Sequence, residues 1–236
     1  MGLYLITPPA AEPVSLVDAK AWLRVSFTND DTLISSLITA ARFYAENYLN
    51  RQLVTATWEL RNDIFPIYSY LQFPFPYYQV QNAAYGYGYN WSNYLQNPNL
   101  GILDIPNYKR ERLPNWGNIV FPRPPLQSVT SIKYLDPDGT LQTWAGTNYQ
   151  TVTGIEPGYV KPLVALPAVK DNTPEAVRYQ YTCGYGAAAD VPAPITVAIK
   201  LLVGAWYDNR QPTELGKALD QAVHALLDQY RFWGFN

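Results

Sequence analysis

Apolar residues recur at a helical period near the start of this 236-residue chain. A short segment places Leu16 and Leu23 on one side, and Ser15 followed three residues later by Asp18 is typical of a helix N-terminus. A longer segment over residues 30–50 repeats apolar positions every three or four residues. The pattern therefore predicts two amphipathic helices, of which the longer is the packing partner of the shorter.

The same period returns twice near the end of the chain. An apolar stripe over residues 195–206 follows Pro192 and Pro194 and ends before Asn209, and a second stripe runs over residues 219–230. An amphipathic helix is stable in water only when its apolar stripe is buried. The four helical segments therefore predict one small bundle formed from both ends of the chain.

Alternation at period two, which is typical of strands, replaces the helical period from residue 53 onward. The Asp-Pro-Asp-Gly sequence at residues 136–139 joins two such segments and is a strong hairpin signal. In all, the strand-like segments are 53–59, 128–135, 140–144, 149–153, 159–164 and 176–183. The predicted fold class is α+β: a helical bundle over residues 1–52 and 187–236, with an inserted antiparallel β region over residues 53–186.

An aromatic insertion at about residues 79–118 interrupts this β region. It alternates tyrosine with glycine and is rich in asparagine and proline, and loops of this length inside a domain are usually functional or disordered. Aromatic rings on a permissive backbone suit an adaptable contact surface; a flexible surface flap is the alternative. The candidate contact residues are Tyr85, Tyr87, Tyr89, Trp91 and Tyr94.

Composition points to protein contacts rather than to nucleic-acid binding. Only 15% of the residues are charged, while the chain has 20 tyrosines and 7 tryptophans, and aromatic residues are enriched at protein interfaces. The formal net charge is −2, whereas tight binding of nucleic acid requires a basic patch that neutralises phosphates. A weakly charged surface remains compatible with a protein that surrounds passing DNA without specific binding.

Catalytic chemistry has few candidates, because the chain has one cysteine and one histidine. Cys183 lies in a strand-like segment and is expected to be a packed residue in a protein made in a reducing cytoplasm. His224 has an aspartate one turn away on either side, which is typical of a solvated helix face. Asp136 and Asp138 could serve a hydrolase, yet aspartate is routine in turns. We expect no enzyme activity, no cofactor and no metal, and no segment is apolar for long enough to span a membrane.

The C-terminal residues 230–236 carry an unusual density of large rings after the last helical stripe. Left in water they would form a sticky patch, so they are expected to dock on another protein surface. The alternative is that the segment folds back and caps its own bundle. The candidate interface residues are Tyr230, Phe232, Trp233 and Phe235.

Several stretches, taken in order, resemble the head-tail connector (adaptor or head-completion) proteins of tailed bacteriophages. The resemblance covers residues 13–58, residues 121–134 with the hairpin that follows, and residues 176–210. The stretch at residues 124–129, Pro-Pro-Leu-Gln-Ser-Val, and the Tyr-Thr-x-Gly-Tyr-Gly run at residues 181–186 are its most specific parts. The aromatic insertion lies outside the usual pattern.

This resemblance implies a structural protein of the virion neck, made in the host cytoplasm. It implies a ring, normally of twelve copies, that lies beneath the portal protein, extends the DNA channel and presents a platform for the tail. On this interpretation the aromatic side chains of the C-terminal segment contact the portal or a neighbouring copy, and the aromatic insertion contacts tail, neck or fibre proteins.

Two other interpretations stay open. One is another phage neck or tail protein, such as a stopper or a tail-completion protein. The other is an aromatic carbohydrate-binding module with platforms such as Trp91 and Tyr94, although such a module would not need four terminal helices.

Overall fold

The structure is a computed structural model that describes residues 2–65, 118–209 and 216–233. Most of the aromatic insertion, with its five candidate contact residues, lies outside the described residues. Four helices and eight strands make up the described fold. The helices are α1 (Leu16–Leu23), α2 (Asp31–Leu49), α3 (Ala193–Asp208) and α4 (Lys217–Leu227). The strands are β1 (Gly2–Thr7), β2 (Ala56–Asn62), β3 (Ile119–Val120), β4 (Leu126–Leu135), β5 (Leu141–Trp144), β6 (Tyr149–Val152), β7 (Tyr159–Pro162) and β8 (Val177–Cys183).

The four predicted helices are confirmed, and α1 begins at the predicted cap. The Ser15 hydroxyl accepts a hydrogen bond from the Asp18 backbone N–H at 3.0 Å and donates one to the Asp18 carboxylate at 2.7 Å. The residues that follow α1 and α2, Arg24 and Asn50, cap the helices in the left-handed backbone conformation that commonly ends a helix. Local sequence therefore sets the limits of these two helices.

The helices bury their apolar stripes in one core. Helix α2 packs on α3, both of them contact α1 and α4, and the core residues are almost completely inaccessible to water. None of the helices in the described ranges is both long enough and apolar enough to cross a membrane. The core is formed mainly by Ile34, Ile38, Ala41, Ala45, Leu49, Ile195, Ala198, Ile199, Leu202, Val203, Val223 and Leu227.

The strands form two antiparallel sheets that enclose a second core. The larger sheet has the strand order β1-β2-β8-β4-β5, and the smaller has the order β3-β7-β6. Phe121 lies at the centre of this core, 4.8 Å from the ring of Tyr181 and 6.1 Å from that of Tyr179. The predicted β4–β5 hairpin is confirmed, with Leu135 opposite Leu141 across the turn.

Strand β1 differs from the expected organisation. Residues 2–7 were expected in the helical body, but they pair with β2 and form an edge of the larger sheet. The segment is short and four of its six residues are exposed, so its alternation carries little signal. The two-residue strand β3 was likewise not predicted. The division of the remaining chain into a helical domain and a β domain stays a prediction.

A buried polar network links the end of α2 to the start of β2. Arg42 pairs with Glu46 at 2.8 Å and with Glu12 at 2.7 Å. The Glu46 carboxylate also accepts hydrogen bonds from the Gln52 side chain at 2.6 Å and from the Leu53 backbone N–H at 3.2 Å. Burial raises the pKa of Glu46, and the positive charge of Arg42 opposes that rise. The network therefore supplies the buried Glu46 carboxyl group with a counterion and hydrogen-bond donors.

Candidate interaction surfaces

The C-terminal segment lies along the end of helix α2. The Phe232 backbone N–H donates to the Leu49 carbonyl at 2.9 Å, and the Asn50 side chain donates to the Phe232 carbonyl at 3.3 Å. The last carbonyls of a helix have no partner within the helix, so the segment supplies one. Tyr230 and Phe232 are half-buried in this arrangement.

Arg51 ties this segment to the β region. Its Nε donates to the Tyr230 carbonyl, and its Nη2 pairs with Glu156, which lies between β6 and β7, at 2.6 Å. Burial lowers the pKa of Arg51, but the hydrogen bonds and charges of Glu156 and Tyr185 raise it by more. The guanidinium therefore stays charged and joins a helix, the C-terminal segment and the smaller sheet.

Aromatic rings continue from this point across the surface of the bundle. The rings of Tyr44 and Tyr48 stack 6.4 Å apart, and His224 stacks on Tyr48 at 4.5 Å. The Arg231 guanidinium lies 4.7 Å from the centre of the Tyr48 ring and 4.2 Å from that of Trp233. We call this row the aromatic ladder; its members are Trp206, Tyr44, Tyr48, His224, Arg231 and Trp233.

Trp233 is the exposed end of the aromatic ladder. Its side chain is 70% exposed, although Arg231 covers part of it. Cation–π contact with Arg231 favours this placement of the ring, which lowers the conformational entropy lost when a partner binds. Tryptophan, tyrosine and arginine are also the residues that most often dominate binding energy at protein interfaces. The geometry suits an anchor residue that inserts into a partner.

The candidate interface residues thus divide into three groups. Tyr230 and Phe232 are held by the protein's own bundle, Trp233 projects into solvent, and Phe235 lies outside the described residues. Tyr85, Tyr87, Tyr89, Trp91 and Tyr94 also lie outside the described residues. That any of these residues contacts a partner stays a prediction. Asn50 and Arg51, which hold the segment, were not singled out in the sequence, because their role depends on chain reversal after α4.

His224 is a member of the aromatic ladder rather than of a metal cluster. Its Nδ1 lies 3.5 Å from the Asp220 carboxylate, and its Nε2 lies 3.3 Å from the Tyr44 hydroxyl. Burial raises the pKa of Tyr44, and the charge of Asp220 adds to the rise. Within the described ranges, no three histidine, cysteine, aspartate or glutamate side chains are grouped as metal ligands would be.

Two other residues considered for catalysis in the sequence, Cys183 and Asp136, make contacts that stabilise the fold. Cys183 is completely buried, and burial raises the pKa of its thiol well above the ordinary value, so the unreactive thiol form persists. Asp136 accepts hydrogen bonds from the Gln142 side chain at 2.9 Å and from the Thr140 backbone at 2.8 Å. The bond from Gln142 is the main cause of its lowered pKa. These contacts stabilise the β4–β5 turn.

Comparison with known proteins supports this fold. No curated protein sequence matches the chain. Its fold is similar to a chain in a structure described as "Neck of empty GTA particle computed with C6 symmetry", with a TM-score of 0.67 and 17% identity. A chain in "Neck of native GTA particle computed with C12 symmetry" gives a TM-score of 0.64 and 17% identity. Both likenesses cover 98% of this chain and 95% of the other.

A third GTA structure, "Virion of native gene transfer agent (GTA) particle", gives a TM-score of 0.65 at 16% identity with the same coverage. Independently of structure, residues 13–90 match the family model of the phage gp6-like head-tail connector protein. That match includes α1, α2 and β2. The α+β fold and the resemblance to the head-tail connector proteins of tailed phages are therefore confirmed.

Proposed function

We propose that this protein is a structural, non-enzymatic component of a phage neck. Copies of it form a ring beneath the portal, extend the DNA channel and provide the platform on which tail components assemble. The observation that carries this proposal is the likeness along almost the whole chain to a neck protein of a particle whose neck was computed with C6 and C12 symmetry. The family match over residues 13–90 supports it independently.

A feature on the surface of the helical bundle supports the proposal that copies form a ring. A closed ring of identical copies uses two different patches on each copy, one of which docks on the other. Trp233 is an exposed anchor for one such patch, either on a neighbouring copy or on the portal. Tyr230 and Phe232 position that anchor, with Phe235 continuing the same segment. The aromatic insertion, with Tyr85, Tyr87, Tyr89, Trp91 and Tyr94, is assigned to tail, neck or fibre partners.

Electron microscopy tests the ring directly. The protein alone is expected to be monomeric or weakly associated, because association depends on an acceptor surface, and the protein mixed with portal is expected to form rings on it. Negative-stain images of both samples check this. A stable dimer in solution that does not bind portal would contradict the proposal.

Replacing the exposed anchor tests the proposed interface. Trp233→Ala is expected to weaken assembly on portal by about 30-fold, which corresponds to about 2 kcal/mol for a central interface residue. The free energy of unfolding of the isolated protein should change by no more than about 0.5 kcal/mol, because the Trp233 side chain is mostly exposed. Sedimentation with portal and thermal melting measure the two quantities.

Phe27→Ala is the matched control for this variant. Phe27 is also aromatic and is 51% exposed, but it follows α1 and lies outside the aromatic ladder. This control should assemble normally. If Trp233→Ala instead assembles normally, the interface assignment fails. It also fails if the variant melts at a much lower temperature, because the Trp233 side chain then caps its own bundle.

A further inference from the structure

The larger sheet has one face on the β core and an opposite face, here called the outer sheet face. Tyr179 and Val177 point into the core and are completely buried. Because side chains alternate along a strand, Arg178 between them projects from the outer sheet face. The same holds for Arg61 next to buried Leu60.

Three cations form a row across three neighbouring strands, near one end of this face. Arg178 on β8 lies directly opposite Arg61 on β2 and directly opposite Lys133 on β4. Neighbouring strands are about 4.8 Å apart, so the three positions are adjacent. Like charges directly opposite each other destabilise a sheet. The row therefore contains two unfavourable pairs in succession.

Carboxylates form ion pairs at only one end of the row. The pKa of Glu175 is lowered mainly by its hydrogen bonds with Arg61 and Tyr4, and the charge of Arg178 adds to this effect. Arg61 pairs with Glu59 at 2.6 Å and with Glu175 at 2.9 Å. Among the residues that the structure describes, no carboxylate lies within ion-pair distance of Arg178 or Lys133, and Arg178 Nε is shielded from water without a hydrogen-bond partner. An anion placed over Arg178 and Lys133 would reduce the repulsion between the two cations.

The surroundings of the row indicate what kind of anion fits. Apart from the three cations and Glu59, which pairs with Arg61, the side chains on the three central strands of the outer sheet face are mainly small or neutral polar groups. Hydroxyls, amides, arginine and lysine are the groups that contact nucleic-acid phosphates. A protein interface would instead present aromatic anchors at its centre. The three central strands place none among the outward-facing residues around the row, and the exposed ring of Tyr4 lies on the edge strand β1 against Arg61. The residues next to the row on this face are Glu59, Gln180 and Ser131, followed by Thr57 and Thr182.

We propose that the outer sheet face contacts the phosphate backbone of DNA through Arg178 and Lys133. The contact is weak and independent of sequence, because two cations on the face of a sheet neutralise few phosphates and reach no base edge. Such a contact suits a surface along which DNA slides. This inference rests on the proposed function, since it assigns the outer sheet face to the channel of the ring.

The experiment measures binding of a short fluorescent duplex DNA of mixed sequence to the full chain. The test variant is Lys133→Gln with Arg178→Gln. The wild-type protein should bind at low salt, and the slope of log affinity against log salt should be about 1.8 smaller in the test variant, since each phosphate contact contributes about 0.9. Fluorescence anisotropy over a salt series gives this slope, and circular dichroism confirms folding.

The control removes two charges from elsewhere in the chain. Lys161→Gln with Lys217→Gln changes exposed lysines on β7 and α4 and should leave the slope unchanged. Equal losses in both variants, absent binding by the wild type, or preferential binding of a polyglutamate peptide would each overturn the inference. Ring formation on portal is measured separately and should survive in the test variant, so failure of this inference differs from failure of the proposed function.

Discussion

Replacing Arg42 with methionine, written Arg42→Met, is expected to lower the free energy of unfolding by about 3 to 5 kcal/mol. The substitution keeps an unbranched apolar stem but leaves the Glu46 carboxylate buried without its counterion. Arg42 and Glu46 are only 4% and 2% exposed, so water cannot replace the lost ion pair. Urea or thermal unfolding of the purified protein measures the loss.

A double substitution provides the control for this prediction. Arg42→Met combined with Glu46→Gln removes both charges, while the glutamine oxygen can still accept a hydrogen bond from the Leu53 N–H, so much of the stability should return. If the double variant is no more stable than Arg42→Met, the ion pair is not the source of the effect.

The loss should also depend on pH. The folded state raises the pKa of Glu46, so it holds the carboxyl proton more tightly than the unfolded state does, and this contribution to stability falls as pH rises through the folded pKa. Without Arg42 that pKa rises further. The destabilisation by Arg42→Met is therefore expected to be smaller near the ordinary glutamate pKa of about 4.3 than above neutrality. Unfolding curves across this pH range check the sign.

Phe121→Ala is the second substitution with a large expected effect. The side chain is 1% exposed and packs against Tyr179 and Tyr181, so its removal leaves a cavity that costs about 3 to 5 kcal/mol. In a chain of this length that loss corresponds to a fall in Tm of about 6 to 20 °C. Differential scanning calorimetry measures it.

Leu141→Ala is the corresponding control on the same sheet. Leu141 is 46% exposed on the edge strand β5, so the change should stay within about 0.5 kcal/mol. Similar losses in the two variants would show that the core between the sheets is not packed as described.

Local signals explain which parts of the fold could be predicted. The apolar period gave all four helices, Ser15 gave the start of α1, and the turn at residues 136–139 gave the β4–β5 hairpin. Each of these depends on residues only a few positions apart. The position of β8 between β2 and β4 depends on pairings such as Leu60 with Tyr179, which are distant in sequence and leave no periodic trace.

The candidate surface shows the same limit. The density of rings after α4 identified Trp233, but it could not reveal that the Leu49 carbonyl accepts a hydrogen bond from Phe232. That contact uses backbone atoms, which are the same in every sequence. The cation row was missed for a related reason: Arg61, Lys133 and Arg178 are scattered in the chain and become neighbours only through strand register.

The order in which the chain is synthesised gives strand β8 a further consequence. It is the central strand of the larger sheet and the last strand in the sequence. Strands β2 and β4 therefore emerge from the ribosome with open inner edges, and Phe121 has no Tyr179 or Tyr181 to cover it. Distant strands also fold slowly, because loop closure must precede their contacts. The interval between synthesis of β4 and of β8 is thus the period in which nascent chains can pair with one another instead of folding.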